Sequence, residues 1–287
     1  MASAGKINHY KNEGSVKLDR LQWTFYIRCD KLSGNILEVI KRKEGPVLRI
    51  DVLGVQFDNV TMEQAVEKAA AMIAEGGSHY AVTPNAEFVQ RAEKDEAFRA
   101  ALNGADLVLP DGIGVVYAAK ILGCPLQGRV PGCDFAAALC GWMAKNEKKL
   151  FLLGAKPGVA EQAARNLEQA HPGLTVCGTH DGYFKEDGPV VEAIRSAGAD
   201  VVFVCLGAPK QEYWMIEHGG ETGASFLIGL GGSLDVFAGT VKRAPEVWQR
   251  LGLEWLYRLL KQPSRMGRMA KLPLFLVSAV KAKGKKG

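Results

Sequence analysis

Residues 201–212 read Val-Val-Phe-Val-Cys-Leu-Gly-Ala-Pro-Lys-Gln-Glu. The apolar run from Val201 to Leu206 carries no polar alternation, as expected of a strand covered on both faces, and the Gly-Ala-Pro turn stops it sharply. The same pattern recurs along the chain. Runs of strand length occupy Leu48 to Phe57, His79 to Val82, Leu107 to Leu109, Leu150 to Leu153, Leu174 to Cys177 and Phe226 to Leu230, most of them apolar throughout. Amphipathic stretches of helix length lie between them. Thr61 and Gln64 have the spacing of a capping box opening a helix to about Ala74. Pro157 stands where the first residue of another helix belongs, and Ala160, Ala163, Ala164 and Leu167 form that helix's buried stripe. Strand alternating with helix predicts an α/β fold: a Rossmann-like, mostly parallel sheet flanked by helices.

At 287 residues, with 47% hydrophobic and 23% charged residues and 33 glycines, the composition excludes disorder, collagen and coiled coil. The apolar stretch Leu272 to Val280, interrupted by Pro273 and Ser278, is far short of the roughly 20 residues of a spanning helix. The first residues include Lys6, Asn8, His9 and Lys11 and lack the apolar centre of a secretory signal, so a cytoplasmic location is expected. Cys29, Cys124, Cys133, Cys140, Cys177 and Cys205 are scattered without a CxxC pair, which reads as reduced core residues rather than a disulfide framework or zinc site.

Charge divides the chain. Residues 46–241 hold 15 Lys and Arg against 24 Asp and Glu, a net of −9, whereas residues 242–287 hold 12 against 2, a net of +10. Residues 1–45 have a net of +4 (9 against 5) and no clear period, and are read as an extension of unknown role ending at Gly45-Pro46. The segments are thus an extension (1–45), an α/β core (46–241) and a C-terminal basic helical appendage (242–287). In the appendage Val247, Leu251, Trp255 and Leu259 share one helical stripe, and Arg265, Arg268 and Lys271 follow Pro263 among Met266, Met269, Leu272, Leu274 and Phe275. Such a pair lies on an anionic membrane or packs on the core, and the two are compatible. Lys281, Lys283, Lys285 and Lys286 read as a solvated tail.

In open α/β sheets, ligands sit beyond the carboxyl ends of the strands. Four turns occupy that position. Thr83-Pro84-Asn85-Ala86-Glu87 offers a hydroxyl and an amide to a crevice, although Asn before a helix also serves as a simple cap. Leu109-Pro110-Asp111-Gly112-Ile113-Gly114 places one carboxylate at a strand end, where Asp is also a common cap; Gly112 and Gly114 let a ligand approach the backbone. Gly128-Arg129-Val130-Pro131-Gly132-Cys133-Asp134, a loop between two predicted helices, supplies a cation suited to a phosphate, or to a surface pair with Asp134. Gly207 to Glu212 offers Lys210 and Gln211 to a diphosphate or to sugar hydroxyls. Gly154 to Gly158 and Gly229 to Ser233 are further glycine turns suited to backbone amide contacts.

Familiar signatures are missing. Gly229, Gly231 and Gly232 do not make GxGxxG, because Leu234 stands where the third glycine belongs, and there is no GxxxxGK[ST]. The five histidines lack metal-ligand spacing and no GxSxG elbow occurs. Dehydrogenase, P-loop, metal-hydrolase and serine-hydrolase readings all lose ground.

In order, TPNAEF, LPDGIG, RVPGCDF, LLGAKPGVAEQAA, HDGYF, VFVCLGAPKQE, IGLGGSLDVFAG and RAPEVWQRLGLEWLYRLLKQPSR cover about residues 47 to 272 and resemble the WecG/TagA/CpsF family of bacterial glycosyltransferases. The resemblance implies inverting transfer of an N-acetylmannosamine-type sugar from a UDP donor to undecaprenyl-diphosphate-linked N-acetylglucosamine, in wall teichoic acid or a related surface polysaccharide, with no metal or other cofactor. It implies Asp111 as the base, Thr83, Asn85, Arg129 and Gln211 as substrate contacts, and an appendage that docks at the inner face of the membrane and brings Arg258, Arg265 and Arg268 to the diphosphate. UDP-N-acetylmannosaminuronic acid or a hexose is the alternative donor within the family. The expected partners are the UDP-sugar, the lipid-linked acceptor and an anionic membrane surface, with self-association through apolar appendage residues and no nucleic acid. A non-catalytic nucleotide-sugar binding protein is the competing reading, and an NAD-linked oxidoreductase is disfavoured by the defective glycine fingerprint.

Overall fold

The computed structural model describes residues 26–27, 48–245, 247–248, 256–257 and 271–284. The strands are β1 (Tyr26–Ile27), β2 (Arg49–Val52), β3 (Val55–Asp58), β4 (His79–Val82), β5 (Leu107–Val108), β6 (Lys149–Gly154), β7 (Thr175–His180), β8 (Val201–Cys205) and β9 (Phe226–Gly229). Strands β4 to β9 form a parallel six-stranded sheet in the order β5-β4-β9-β8-β6-β7. Every residue of β8 is buried. Its side chains alternate between two cores, with Val202 and Val204 on one face and Val201, Phe203 and Cys205 on the other, so the unbroken apolar run follows from burial on both sides.

The helices supply those two covers. Helices α1 (Met62–Glu75), α5 (Gly132–Lys145), α6 (Val159–Ala170) and α9 (Ser233–Phe237) bury residues on the Phe203 face. Helices α2 (Ala86–Ala92), α3 (Glu96–Asn103), α4 (Ile113–Leu122), α7 (Asp187–Ala197), α8 (Lys210–His218) and α10 (Lys271–Gly284) cover the Val202 face. The capping box opens α1 as anticipated: the Gln64 backbone N–H donates to Thr61 Oγ1 at 3.3 Å and the Thr61 N–H to Gln64 Oε1 at 2.9 Å. The α/β architecture read from the sequence is thus the one observed, with a basic helix at the C-terminal end.

Local boundaries differ where one residue overrules a pattern. Leu48 to Phe57, read as one strand, is an antiparallel hairpin of β2 and β3, because Leu53 and Gly54 both adopt positive φ (55° and 92°) and reverse the chain. The hairpin lies outside the main sheet, in a three-stranded sheet in which β1 pairs in parallel with β2. Its Asp58 carboxylate is buried, bridged by Arg49 at 3.4 Å and Lys68 at 2.8 Å, and accepts the Val108 N–H at 2.8 Å. The outer edge of β5 is thereby closed by a side chain instead of another strand. Pro157 precedes its helix: Gly158, at φ 84°, is the cap and α6 starts at Val159, with the predicted alanine and leucine stripe buried. Strand β7 runs on to His180 because backbone pairing with β6 continues past the apolar residues.

Two further expectations change. Helix α10 extends to Gly284, so Lys281 and Lys283, exposed as expected, stand in a helical last turn and not in an unstructured tail, while Lys285 and Lys286 lie outside the described residues. Cys124 is disulfide-bonded, against the reading of six reduced cysteines, while Cys133, Cys140, Cys177 and Cys205 are free thiols. Among the described residues no helix is long and apolar enough to cross a membrane.

The sheet centre sets stability. Phe203 is fully buried, and Phe203→Ala is expected to cost about 3–5 kcal/mol of unfolding free energy. Urea denaturation followed by circular dichroism checks this as a lower midpoint at unchanged slope.

Candidate active site

The chain leaves β4 towards α2 on the Val202 face and leaves the neighbouring β9 towards α9 on the Phe203 face, which makes the adjacent carboxyl ends of β4 and β9 a switch point. The buried hydroxyl of Thr83, one residue beyond β4, donates to Gly229 O at 3.0 Å and ties the two ends together. A Cβ on Gly132, the first residue of α5, would stand 3.0–3.2 Å from the Thr83 side chain, so only glycine lets α5 start this close.

The next two turns are hydrogen-bonded onto the first. The Asp111 N–H donates to Pro84 O at 3.1 Å, and the Val130 N–H donates to Pro110 O at 2.9 Å. Asp111 is half-buried, and its Oδ2 accepts the Gly132 N–H at 3.4 Å at the amino end of α5. The amide orients the carboxylate, and the helix N-terminus presents further N–H groups to the same space. Asn85 caps α2, its Oδ1 accepting from the backbone N–H groups of Glu87 (2.9 Å) and Phe88 (3.3 Å). Gly112, at φ 91°, packs over Asn85. Arg129, half-buried, sits one residue before the Val130 tie. The turns that carry Thr83 and Asn85, Asp111, and Arg129 are therefore hydrogen-bonded to one another beyond the carboxyl ends of β4 and β5.

Gln211 stands differently. It is 1% exposed, and its amide is engaged at both ends: Oε1 accepts the Gly231 N–H at 3.0 Å, and Nε2 donates to Glu212 Oε1 at 2.7 Å. It rests on Gly229, where a Cβ would lie 2.7 Å from its Nε2. Lys210 places its ammonium 4.4 Å from the Phe184 ring centre, which fastens the PKQE turn to the HDGYF loop. Asp134, in the first turn of α5, holds both terminal nitrogens of Arg243, the first arginine of the basic segment. Arg258, Arg265 and Arg268 lie outside the described residues. Among the described residues no group of three or more His, Cys, Asp or Glu side chains is placed to hold a metal ion.

This geometry has counterparts in known proteins. The glycosyl transferase WecG/TagA/CpsF family matches the chain over residues 50–287. The chain belongs to that family. Proteins of Staphylococcus aureus strains MW2 and NCTC 8325, each named N-acetylglucosaminyldiphosphoundecaprenol N-acetyl-beta-D-mannosaminyltransferase, are 39% identical to it over 240 residues, which cover 83% of this chain and 94% of theirs.

Sequence reasoning passed over one notable residue of this family member. Glu212 has no exposed surface, and burial pushes its carboxyl from the ordinary 4.5 up to about 7. An acidic residue in the first turn of a helix reads as a complement to the helix dipole, so its sequence position carries no signal of burial. The folded state keeps a proton that the unfolded chain releases. Its stabilising contribution is therefore complete below pH 4.5 and is lost as pH rises towards 7. A shift from 4.5 to about 7 corresponds to about 3 kcal/mol at most. Glu212→Gln should gain stability relative to the parent as pH rises across that interval and hold the gain above it, as read by urea midpoints at a series of pH values.

Proposed function

We propose that the protein is an inverting transferase that moves N-acetylmannosamine from a UDP donor to undecaprenyl-diphosphate-linked N-acetylglucosamine, in the making of wall teichoic acid or a related surface polysaccharide. The observation that carries this reading is the placement of Asp111: a half-buried carboxylate, oriented by the Gly132 amide at the switch point of the sheet, in a member of a glycosyl transferase family. The names of the Staphylococcus aureus relatives support the choice of donor sugar and acceptor.

In the proposed step an acceptor hydroxyl attacks the anomeric carbon from the side opposite UDP, and Asp111 takes its proton. The bond between the anomeric carbon and the phosphate oxygen breaks, and UDP leaves with the electron pair. A positioned base contributes about 10²–10⁴-fold to such a step. Thr83, Asn85 and Gln211 shape and line the pocket in this reading, and Arg129 with the appendage's Arg258, Arg265 and Arg268 meets the growing charge on the diphosphate. With that positive charge supplied by the protein, transfer is proposed to need no metal. Asp111→Asn should lower turnover by about 10²–10⁴-fold while leaving UDP affinity within a few-fold. Both are measurable as UDP release in EDTA and by calorimetry, and a parent enzyme silenced by EDTA would contradict the metal-free step.

We further propose that the core (46–241) works at the inner face of the membrane through the appendage (242–287). In support, α10 buries Phe275 and Ala279 on the core and turns Leu274, Val277 and Val280 outward beside Lys281 and Lys283. Both readings of the appendage are compatible with that one helix. Replacing Leu274, Val277 and Val280 together by Glu should abolish sedimentation with vesicles containing phosphatidylglycerol while sparing transfer to a soluble acceptor analogue. The parent's binding should weaken with added salt, because exposed charges are screened beyond about 8 Å at physiological ionic strength.

A further inference from the structure

A carboxyl group with no exposed surface normally has both oxygens paired. Glu212 does not: Oε1 accepts from Gln211 Nε2 at 2.7 Å, and Oε2 accepts no hydrogen bond among the described residues. Helix α8 packs against α3 and against β4, β8 and β9, whose buried residues near it are aliphatic or aromatic. Arg91 of α2 is the cation whose field reaches the carboxyl, but its Nε lies 3.6 Å from Asp95 and its guanidinium is stacked on Phe98 at 5.2 Å. The phenol of Tyr213 is its titratable neighbour on α8. A leucine would fill such a place without an orphaned oxygen, so the carboxyl's use lies in the bond it does make.

That bond leads to the crevice. By accepting from Nε2, Glu212 fixes which way the Gln211 amide faces, and this leaves Oε1 to receive the Gly231 N–H at 3.0 Å. Gly231 has φ 54° and lies two residues beyond Gly229, the carbonyl held by Thr83. A reversed Gln211 amide would set an NH₂ against the Gly231 N–H and displace the turn that follows Gly229. We propose that Glu212 is a positioning residue for the transfer reaction, acting in its protonated form through Gln211 to hold the Gly231 turn beneath the bound donor. The protonated form suits this closed space because a hydroxyl at Oε2, though without a partner, carries no charge to be solvated, while Oε1 remains an acceptor. Ionisation places a negative charge under a crevice that is read here as a diphosphate site, so this inference rests on the transferase reading.

The test compares the full-length parent with Glu212→Gln, which imitates the protonated acid, and Glu212→Leu, which removes the acceptor. The Gly231 amide resonance, assigned by nitrogen-15 labelling, should titrate in the parent with a midpoint near the carboxyl's value of about 7 and stay flat in Glu212→Gln. In turnover with UDP-N-acetylmannosamine, the parent's kcat/KM should fall above neutrality, and Glu212→Gln should retain at least about a third of its activity without that fall. Glu212→Leu should lose at least about tenfold in kcat while melting no lower than the parent, a combination that a purely structural role would not give. The proposal is overturned by a Gly231 amide indifferent to pH and to Glu212→Gln, or by undiminished turnover in Glu212→Leu. Absence of turnover in the parent overturns the transferase reading and the role in transfer with it. The Gly231 titration would still decide whether Glu212 governs the turn.

Discussion

A parallel sheet covered by helices on both faces has little room for chemistry except at the ends of its strands. β8 shows the constraint in its purest form, with every side chain buried and alternate residues given to opposite cores. The chain must then leave each strand through a turn at the carboxyl edge. At the switch point those turns are hydrogen-bonded to one another: Thr83 to Gly229, Asp111 to Pro84, Val130 to Pro110. These hydrogen bonds join the exits of a sheet whose strands are buried in two cores.

Much of this was legible in the sequence. The alternation of apolar runs with amphipathic stretches gave the fold class, and the turns carrying Thr83, Asn85, Asp111 and Arg129, singled out as possible ligand positions with capping or a surface pair as the alternative, lie next to one another in the structure. What escaped was set by single residues acting against a pattern. Leu53 at positive φ turns an apparent ten-residue strand into a hairpin, and leucine gives no warning of such a conformation. The hairpin then carries Asp58 to the outer edge of β5 and steadies the strand from which Asp111 emerges. Strand β7 outlasts its apolar residues because backbone pairing extends strands without hydrophobic help.

The buried polar residues form a second class that the sequence does not disclose. Gln211 and Glu212 stand in a Lys-Gln-Glu turn that reads as offering Lys210 and Gln211 to a ligand, yet Gln211 and Glu212 are both buried. Their arrangement is a consequence of crowding, because Gly229 leaves the space that the Gln211 amide fills, and the amide then needs partners at both ends. Charge works differently at the surface. Residues 46–241 and 242–287, net −9 and +10, meet where Arg243 grips Asp134 in the first turn of α5. The first amide of that helix also meets Asp111, so Arg243 and Asp111 are both held at its amino end.

The stereochemistry of the product tests the account most directly. A single positioned carboxylate acting as base, with no enzyme-bound sugar intermediate, requires one displacement at the anomeric carbon. Transfer from the α-linked UDP-N-acetylmannosamine to a soluble diphosphate-linked N-acetylglucosamine, with the new linkage analysed by the one-bond carbon–hydrogen coupling of its anomeric carbon, should give the β-glycoside. An α-linked product would show that configuration is retained, and would remove Asp111 from the role proposed for it.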